Sequence, residues 1–404
     1  LCSIARFEGF LVRVAYVGPF GCSSSQANTL RVSGLARSLD LLHVEVLIGS
    51  AERKAPITYD NSLFPGMAVT CLDEFARDDW PKWRRVFRGF DMGAQTARWI
   101  AELRPAPDVV ILYGTPYGYL RRLLPQLKKQ GIPLVLDVVE WYERSHMPGG
   151  KYGPFALANE HSMRSLAKRA DGIIVISRFL DEYFSSFKMP VMRVPPLFAT
   201  PDQLRPKQNR AQDGRTHFVY AGSPGAKDEI GLVLQAFFAA SKNGIQSFLH
   251  LVGLSPEFVR SALSLHASPD DVVRFGASYK AYGRVENAVS RLIVSKCDFS
   301  ILLRPDLRYS RAGFPSKVGE SLSLGTPMMA NLSSNLDEVL VDGGNALVVQ
   351  HLSSEAVLKQ IKRAAEFGDA EICSMKQAAL ETGADYFSME KHGERLVGFL
   401  RSVS

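Results

Sequence analysis

The stretch RAGFPSKVGESLSLGTPMMAN, residues 311–331, places a turn and a lysine at the start of a short helix that carries one carboxylate. Pro315 stands where the first helical turn would begin, because its fixed φ and missing N–H suit that position. A Gly-Thr-Pro sequence then ends the helix. The helix N-terminus offers free N–H groups and a partial positive charge beside Ser316 and Lys317. The stretch therefore predicts a site for an anion.

The whole chain sets the frame for this site. Its 404 residues are too many for one ordinary core, so two domains of about 200 residues are expected. A composition of 46% hydrophobic and 22% charged residues is that of a globular protein. The net charge of +7 suits nucleic acid, an anionic membrane face or anionic substrates, and it is too small to choose among them.

Neither a membrane span nor a disulfide framework is expected. Apolar runs such as DVVILY and GIIVI have about a third of the length needed to cross a bilayer. The opening residues lack the layout of a signal peptide. The five cysteines are scattered, odd in number and without a C-x-x-C pair, namely Cys2, Cys22, Cys71, Cys297 and Cys373. This pattern favours reduced thiols in the cytoplasm and argues against structural zinc.

Short apolar strands alternate with amphipathic helices through the N-terminal half. The strands are predicted at 11–18, 43–49, 107–114, 133–140 and 171–177. Repetition of strand, helix and strand at this spacing indicates a parallel sheet covered on both faces.

A second series of strands follows a segment rich in proline and polar residues. These strands are predicted at 217–223, 248–253, 272–277, 297–304 and 327–331. The segment LVDGGNALVV that follows is predicted to be a loop, and polar amphipathic helices continue from there to residue 404.

The pattern predicts two doubly wound α/β domains. The first covers residues 1–197, a linker covers 198–214, and the second domain covers 215–385. The last helix, 386–404, is expected to pack back on the first domain. Two such domains are expected to face a deep interdomain cleft, with strand ends of both sheets lining it.

The motifs, in their order along the chain, resemble those of a family 4 (group 1) GT-B glycosyltransferase. The blocks AGFPSKVGESLSLGTPMMAN, LDEVLVDGGNALVV and VYAGSPGAKDEIGLVLQAF are similar to the donor half of that family. The first strand with its Gly/Ser loop, and ADGIIVISRFLDEYF, are similar to the acceptor half. The resemblance runs from about residue 11 to about residue 350. It implies two Rossmann-like domains and retaining transfer of a sugar from a nucleotide-sugar.

The resemblance also implies a diphosphate site in the second domain. Negative charge grows on the diphosphate as the glycosidic bond breaks, so cations stabilise it. Lys227, at the end of the AGSPGAK turn, becomes a diphosphate ligand, with Lys317 and Arg304 as further candidates. Ser223 stands where the family often has an arginine, and Arg304 is the expected replacement. The alternative is that Arg304 and Lys317 only solvate a rim.

Two donor contacts differ in how well they match the family pattern. Glu320 resembles the second glutamate of the E-x7-E element, which binds ribose, although a helix-surface glutamate is often simply solvated. The first glutamate of that element is Ala312 here. The groups left to orient the donor sugar are the backbone near Gly313, Phe314 and Pro315 and the Arg311 side chain.

On the acceptor side, the loop after the first strand offers close backbone approach and hydroxyl groups. The residues concerned are Gly18, Gly21, Ser23, Ser24 and Ser25. A plain strand-to-helix turn explains this loop almost as well.

Glu140 stands near the strand end where the family often has a catalytic histidine. Glu140 is a candidate to orient the acceptor hydroxyl or accept its proton, and a structural role is equally open. His161, in the next helix, is expected to be an ordinary packed or surface residue. Enzymes of this type are thought to use a same-face path in which a donor phosphate oxygen accepts the proton. Positioning and electrostatics, with Lys227 among the catalytic groups, are then the main contribution of the protein.

No cofactor is expected, because the nucleotide-sugar is a substrate. The chain has no D-x-D triplet, so lysine and arginine are expected to replace a metal ion at the diphosphate.

The segment DDWPKWRRVFRGF, residues 78–90, interleaves aromatic and basic side chains from Trp80 to Phe90. Such a mixture suits an anionic membrane surface and a lipid-linked acceptor. It equally suits a helix with one buried aromatic face and one solvated basic face. Nucleic acid is disfavoured because no recognition fold accompanies the segment.

The leading hypothesis is a cytoplasmic, metal-independent, retaining hexosyltransferase that uses a UDP- or GDP-sugar. Its acceptor is expected to be a saccharide or lipid-linked, in bacterial lipopolysaccharide or exopolysaccharide synthesis. Two alternatives remain open: a sugar-nucleotide epimerase of the same architecture, and a non-catalytic subunit that binds nucleotide-sugars.

Overall fold

The computed structural model describes residues 12–22, 26–53, 63–199, 213–222, 228–264 and 275–403. Within these residues the chain forms two compact units, each built on its own parallel sheet. The first unit contains the described residues up to Ile176, then Leu180–Leu197 and the chain from Met389 onward. The second contains Ser177–Phe179 and the described part of Phe198–Ser388. The centre of the expected linker, residues 200–212, lies outside the described residues.

The sheet of the first unit has seven parallel strands in the order β3-β2-β1-β4-β5-β6-β7. The strands are β1 Arg13–Gly18, β2 Glu45–Ser50, β3 Ala68–Cys71, β4 Val109–Tyr113, β5 Leu134–Val138, β6 Gly172–Val175 and β7 Val191–Arg193. The helices are α1 Ala27–Asp40, α2 Lys82–Asp91, α3 Ala94–Glu102, α4 Tyr117–Gln130, α5 Pro154–His161 and α6 Arg178–Ser185.

The sheet of the second unit has six parallel strands in the order β10-β9-β8-β11-β12-β13. The strands are β8 Thr216–Ala221, β9 Ser247–Val252, β10 Tyr279–Gly283, β11 Phe299–Leu302, β12 Met328–Ala330 and β13 Ala346–Val348. The helices of this unit are α7 Ile230–Lys242, α8 Pro256–Ser264, α9 Asn287–Lys296, α10 Arg308–Ala312, α11 Ser316–Ser323, α12 Ser354–Ala365 and α13 Asp369–Tyr386. The last helix in the chain, α14 Met389–Val403, belongs to the first unit.

The predicted fold class, two doubly wound parallel sheets, is confirmed. The apolar runs form the inner strands: all five residues of β5 are buried, as are the first four of β4. Strands covered on both faces read as continuous apolar runs, and this is why the sequence pattern identified them.

Two predicted elements are wrong. The strand predicted at 272–277 is not found in its described part, since residues 276–278 form a 3₁₀ turn and β10 follows at Tyr279–Gly283; residues 272–274 lie outside the described residues. The segment LVDGGNALVV is not all loop, because Ala346–Val348 pairs with β12 as an edge strand. Both errors concern outer strands, where the apolar pattern is short.

The last helix belongs to the core of the first unit. Met389, Leu396 and Leu400 of α14 are buried in the same apolar cluster as residues of β1 and α1. Gly393 lies so close to the carbonyl oxygen of Ser38 that a Cβ there would collide with it. Within the described residues, no helix has the length and apolar character needed to cross a bilayer.

A buried ion pair ties α1 to β5 in the first unit. The Arg31 side chain donates from Nη2 to Asp137 Oδ1 at 2.8 Å, and both side chains are almost fully buried. Arg31 Nη1 also donates to the carbonyl oxygen of Val194 at 2.8 Å, while the Tyr16 hydroxyl donates to Asp137 Oδ2 at 2.5 Å. The network therefore joins two strands, one helix and the segment after β7.

We predict that Arg31→Met lowers the free energy of unfolding by about 3–5 kcal/mol, because it leaves the Asp137 carboxylate buried without its counter-charge. Urea unfolding followed by circular dichroism measures the change. Arg98→Met on the exposed face of α3 is the matched control and should change stability by less than about 0.5 kcal/mol. Equal stability of the two variants would contradict the assignment.

Candidate functional site

The order of the second sheet reverses between β8 and β11. β9 and β10 extend the sheet on the far side of β8, and β12 and β13 extend it on the far side of β11. Ligands of open parallel sheets bind outside the carboxyl ends of the strands at such a point. β8 leads into Gly222 and β11 leads towards Arg304, so the residues after these two strands form the candidate site.

A buried carboxylate occupies this position. Asp228, whose side chain is 6% exposed, accepts from Lys317 Nζ at 2.6 Å. Its other oxygen lies 3.1 Å from Arg304 Nε. The Tyr220 hydroxyl donates to Asp228 Oδ2 at 2.8 Å. We refer to Tyr220, Asp228, Arg304 and Lys317 as the Asp228 cluster.

Four separate segments supply the Asp228 cluster: β8, the residues before α7, the residues after β11, and the first turn of α11. Carboxyl ends of parallel strands meet at one sheet edge, and this brings the segments together. Two cations against one carboxylate leave the cluster with one net positive charge, which is suited to an anionic ligand.

The protonation states follow from burial and from the neighbouring charges. Burial alone would raise the pKa of Asp228, but the charges of Lys317 and Arg304 outweigh it and the pKa is lowered. Burial lowers the pKa of Lys317, and attraction to Asp228 offsets part of this effect. Burial, together with the Asp228 charge, raises the pKa of Tyr220, so its hydroxyl remains a donor at neutral pH.

Gly222 is the residue over which the Lys317 side chain passes. Lys317 Nζ lies 4.4 Å from the centre of the Tyr220 ring, and a Cβ at position 222 would collide with the end of the lysine side chain. The φ of Gly222 is +155°, which also favours glycine. A larger residue here would displace the ammonium group from Asp228.

The backbone of Arg304 is held by a reciprocal pair of hydrogen bonds. Its N–H donates to Asn331 Oδ1 at 2.9 Å, and its carbonyl oxygen accepts from Asn331 Nδ2 at 2.8 Å. Asn331 directly follows β12, so the segments after β11 and β12 are fixed together. This contact sets the position from which the Arg304 side chain reaches Asp228.

Packing and hydrogen bonds within the protein fix the turn at Gly313–Pro315. The Phe314 side chain is buried and packs edge-to-face on Phe387, with ring centroids 5.7 Å apart. The Gly313 N–H donates to the carbonyl oxygen of Tyr309 at 3.0 Å, and the Gly313 carbonyl accepts from Ser334 Oγ at 2.6 Å. In this structure the Phe314 side chain therefore serves packing, and the Gly313 amide is already occupied.

The two residues before this turn, Arg311 and Ala312, also have partners within the protein. Arg311, expected near the donor sugar, forms an exposed ion pair with Asp306 at 2.6 Å. The carbonyl oxygen of Ala312 accepts from Ser177 Oγ at 2.7 Å. Among the predicted donor contacts, Lys317 and Arg304 thus meet at Asp228, while Arg311 is paired with Asp306, two residues before its helix.

Helix α11 begins at Ser316, directly after Pro315, which has φ −72° and ψ 108°. The Pro315 carbonyl accepts from the Val318 N–H at 3.0 Å, which closes the first turn. Among the described residues, no side chain caps this helix N-terminus. The predicted helix is present, with Pro315 at its N-cap and Lys317 at its second position.

Glu320 lies one turn further along α11 and is partly exposed. Its Oε1 is 3.1 Å from Arg291 Nη1 of α9. The pKa of Lys317 is lowered by burial, and the charge of Glu320 opposes this lowering more weakly than the charge of Asp228 does. The structure therefore places Glu320 beside the Asp228 cluster and pairs it with Arg291.

Two predicted donor residues, Ser223 and Lys227, lie outside the described residues. Their roles stay predictions. In the part of the chain that the structure describes, no group of three His, Cys, Asp or Glu side chains could hold a metal ion.

In the first unit, the loop after β1 is closely packed against its neighbours. Gly18 has φ +149°, and a Cβ there would lie 2.8 Å from Tyr113 Cβ. The Gly21 carbonyl accepts from Thr29 Oγ1 at 2.8 Å, and the Cys22 N–H donates to Glu52 Oε2 at 2.9 Å. Ser23, Ser24 and Ser25 lie outside the described residues. The described part has the contacts of a strand-to-helix turn.

Glu140 follows β5 by two residues and is half-buried. Its charge acts on Tyr113 at the end of β4, whose pKa is raised mainly by burial and then by Glu140. The next residue, Trp141, is buried and donates from Nε1 to Glu160 Oε1 at 3.1 Å. His161 lies exposed at the end of α5. Glu140 therefore stands just beyond the carboxyl end of β5, and its charge acts on Tyr113 at the end of β4.

Sequence reasoning missed Tyr220, Asp228, Asn331 and Arg291. Tyr220 sits in an apolar strand and looks like a core residue. Asp228 directly precedes a helix, where an acidic residue is ordinarily explained by the helix dipole. Their positions in the sequence could have identified two of these residues. Asp228 comes after the strand β8 and Asn331 directly after β12, and ligands of parallel sheets bind at that edge.

Residues 29–196 match the family described as glycosyl transferase 4-like domain. The matched range lies within the first unit except for residues 177–179. A comparison with curated protein sequences gives no match.

Solved structures match nearly the whole chain. Sucrose-phosphate synthase from Thermosynechococcus elongatus has 15% sequence identity and a TM-score of 0.70, covering 97% of this chain and 98% of that one. HepE from Anabaena, in complex with UDP, has 14% identity and a TM-score of 0.65 over 96% and 100% of the two chains. The lipopolysaccharide outer core galactosyltransferase WaaB in its apo form has 12% identity and a TM-score of 0.62 over 96% and 99%.

These findings, with the two doubly wound sheets, define the class: the chain has the GT-B glycosyltransferase fold. The match of residues 29–196 to the glycosyl transferase 4-like domain and the GT-B fold of these structures agree with the resemblance to family 4, or group 1, found in the sequence.

We predict that Asp228→Asn destabilises the protein at neutral pH by about 1–3 kcal/mol, because Lys317 and Arg304 lose their counter-charge. The folded pKa of Asp228 is lowered, so its contribution is complete above the unfolded pKa and is lost as the pH falls through the folded value. The difference from wild type should therefore shrink below about pH 4. Urea unfolding at pH 7 and at acid pH measures it, and a difference independent of pH would contradict the charge assignment.

Proposed function

We propose that the protein transfers a hexose from a UDP- or GDP-sugar to a saccharide or lipid-linked acceptor, with retention of anomeric configuration. The proposed setting is bacterial surface-glycan synthesis, such as that of lipopolysaccharide or exopolysaccharide. The family and fold support glycosyl transfer.

The observation that carries the proposal is the Asp228 cluster at the reversal of the second sheet. Lys317 and Arg304 lie on one carboxylate, 2.6 and 3.1 Å from its two oxygens. A diphosphate carries more negative charge than Asp228 and can accept from both cations. Lys227, which precedes Asp228 in the chain, is proposed as a third diphosphate ligand, with Ser223 and Ser316 as hydroxyl donors near it.

Cations at this position favour the departure of the donor diphosphate. As the glycosidic C–O bond breaks, its electron pair moves onto the diphosphate oxygen, and fixed positive charges stabilise that oxygen. Asp228 keeps both cations in place before the donor arrives, so little reorganisation is needed. The HepE structures with UDP and with UDP-glucose support a nucleotide-sugar donor of this kind.

We propose that Glu320 binds the donor ribose. A carboxylate accepts hydrogen bonds from two neighbouring hydroxyls, and Glu320 lies one helical turn beyond Lys317 on the same helix. Its partner Arg291 is 43% exposed, so exchange of this ion pair for ribose hydroxyls costs little.

We assign the acceptor to the carboxyl edge of the first sheet. Gly21 is proposed to allow close approach of the acceptor there, whereas Gly18 is packed against Tyr113, and Glu140 is proposed to orient the acceptor hydroxyl. In the same-face path the acceptor oxygen forms its bond to the sugar carbon as the diphosphate leaves, and a diphosphate oxygen takes the proton. The protein then contributes positioning and charge, without a strong base of its own.

The proposed reaction needs no metal ion, since lysine and arginine side chains take the place of a cation at the diphosphate. A cytoplasmic location is proposed from the thiols: the four cysteines in the described residues are all free, three of them buried.

The test is turnover of a panel of UDP- and GDP-sugars, with and without saccharide and lipid-linked acceptors, in the presence of EDTA. We predict that Lys317→Met lowers kcat for donor cleavage by about 10²–10³-fold, because a charge acting on the leaving group is removed. Lys227→Ala should act in the same direction. Nucleotide release, measured by coupled assay, is the readout.

Lys280→Met, which removes an exposed lysine from β10, is the matched control and should retain wild-type rates. An epimer formed without acceptor would identify the protein as an epimerase. Donor binding without any turnover would identify a non-catalytic subunit. Failure of the wild type to bind any sugar nucleotide, with Lys227→Ala indistinguishable from it, would overturn the proposal.

We predict that Glu320→Gln weakens nucleotide-sugar binding by about tenfold, as expected for loss of charge-assisted hydrogen bonds of roughly 1.5 kcal/mol. Arg291→Gln should not weaken it, because Arg291 competes with the ribose for the same carboxylate. Isothermal titration with UDP and GDP provides both values. Equal losses in the two variants would show that the Glu320–Arg291 pair is structural.

A further inference from the structure

Helix α2 is held to the first unit by its last turn. Arg88 Nε donates to the Glu74 carbonyl at 2.9 Å, and Nη2 donates to the Asp73 carbonyl at 2.5 Å. The Phe90 ring stacks on Phe155 with centroids 5.1 Å apart. This end of the helix is therefore fixed.

The earlier turns of α2 expose a contiguous apolar surface. Trp83 is 64% exposed and Phe87 is 67% exposed, and their ring centroids lie 6.3 Å apart. Val86, between them in sequence, is 37% exposed. Two neighbouring aromatic rings exposed to this degree mark an interaction surface, since leaving them in water forgoes a favourable burial of about 1.5–3 kcal/mol each. Phe90 is thus partly buried against Phe155, whereas Trp83 and Phe87 do not form a buried aromatic face.

Cationic side chains border the exposed rings. The Arg84 guanidinium lies 4.1 Å from the centre of the Trp80 ring. Arg85 and Asp78 are both exposed, and their charged groups are 3.7 Å apart, so the pair is weak. Because Arg84 and Arg85 lie between Trp83 and Phe87 on the same helix, the surface combines apolar area with positive charge.

An open pocket of about 530 Å³ adjoins the same surface. Its lining includes the aromatic residues Trp80, Phe87 and Phe90 and the arginines Arg84, Arg88 and Arg121. Asp91 also lines the pocket, and its carboxylate is paired with Arg122. The pocket has the cations needed for a phosphate head group beside rings that can enter the acyl boundary.

We propose that the exposed face of α2 docks on an anionic phospholipid surface, with Trp83 and Phe87 inserted at the interface and a lipid phosphate in the Arg84–Arg121 pocket. Tryptophan prefers the membrane interface, and arginines beside it are attracted to anionic lipid. A second copy of the chain fits this surface less well, because a two-fold contact would bring the same arginines against each other. The inference concerns binding and holds independently of the glycosyl-transfer proposal.

The test is co-sedimentation of the full chain with vesicles of phosphatidylcholine alone and with about 30 mol% phosphatidylglycerol, at low and high salt. We predict that wild type binds the anionic vesicles. Trp83→Ser/Phe87→Ser should lower the partition coefficient at least about tenfold. Arg84→Gln/Arg85→Gln should lower it about fivefold for each charge, and on anionic vesicles only.

Phe258→Ser/Arg260→Gln on α8 is the matched control, because it removes an exposed ring and an exposed charge from the second unit. It should leave binding unchanged. A second readout is the fluorescence difference between wild type and Trp83→Phe, which should shift to the blue on anionic vesicles.

The proposal is overturned if the wild type binds neither vesicle, or if both vesicles bind it equally and the arginine variant has no effect. It is also overturned if light scattering shows that the Trp83/Phe87 variant dissociates a dimer while vesicle binding is unaltered, which would assign the surface to a second copy. Donor turnover is measured separately, so a failure here leaves the Asp228 cluster untouched.

Discussion

The ion pairs of Asp228 organise the carboxyl end of the second sheet. A buried carboxylate is stable only when charge and hydrogen bonds compensate for lost hydration. Lys317, Arg304 and Tyr220 supply that compensation from three different segments, so those segments must end at one place. Gly222 lacks a side chain because the lysine passes over it. The same arrangement holds two cations together, which is the preorganisation that the proposed diphosphate contact requires.

The first unit uses a buried ion pair for a different purpose. Arg31 and Asp137 are nearly inaccessible, and Arg31 also donates to the Val194 carbonyl, so no group is left for a ligand. The cations of the Asp228 cluster are more open, with side chains 24% and 16% exposed for Lys317 and Arg304. The two sites therefore differ in burial. The inaccessible Arg31–Asp137 pair stabilises the fold, whereas Lys317 and Arg304 are open enough to exchange Asp228 for another partner.

Much of the fold and the centre of the site could be predicted from the sequence, because the signals are local. Continuous apolar runs identified the inner strands, and proline followed by a short helix identified α11 with Lys317. Contacts between distant segments could not be predicted, because they depend on how the strands are ordered in the sheet. The residues that meet are 27 to 76 positions apart in the sequence: Asp228 with Arg304, Glu320 with Arg291, and Asn331 with the Arg304 backbone. The packing of the Phe314 side chain on Phe387 is a further long-range contact that the local pattern does not reveal. The outer strand β10 was misplaced because short edge strands carry little apolar pattern.

The position of α14 determines how the polypeptide can be divided. Helices α13 and α14 are separated by two residues, yet the first belongs to the second unit and the other fills the core of the first. A chain truncated after Ser388 would uncover the apolar side of α1, and an isolated N-terminal fragment would aggregate. In topological terms the second unit is an insertion into the first, so limited proteolysis at this junction should release no independently soluble N-terminal piece.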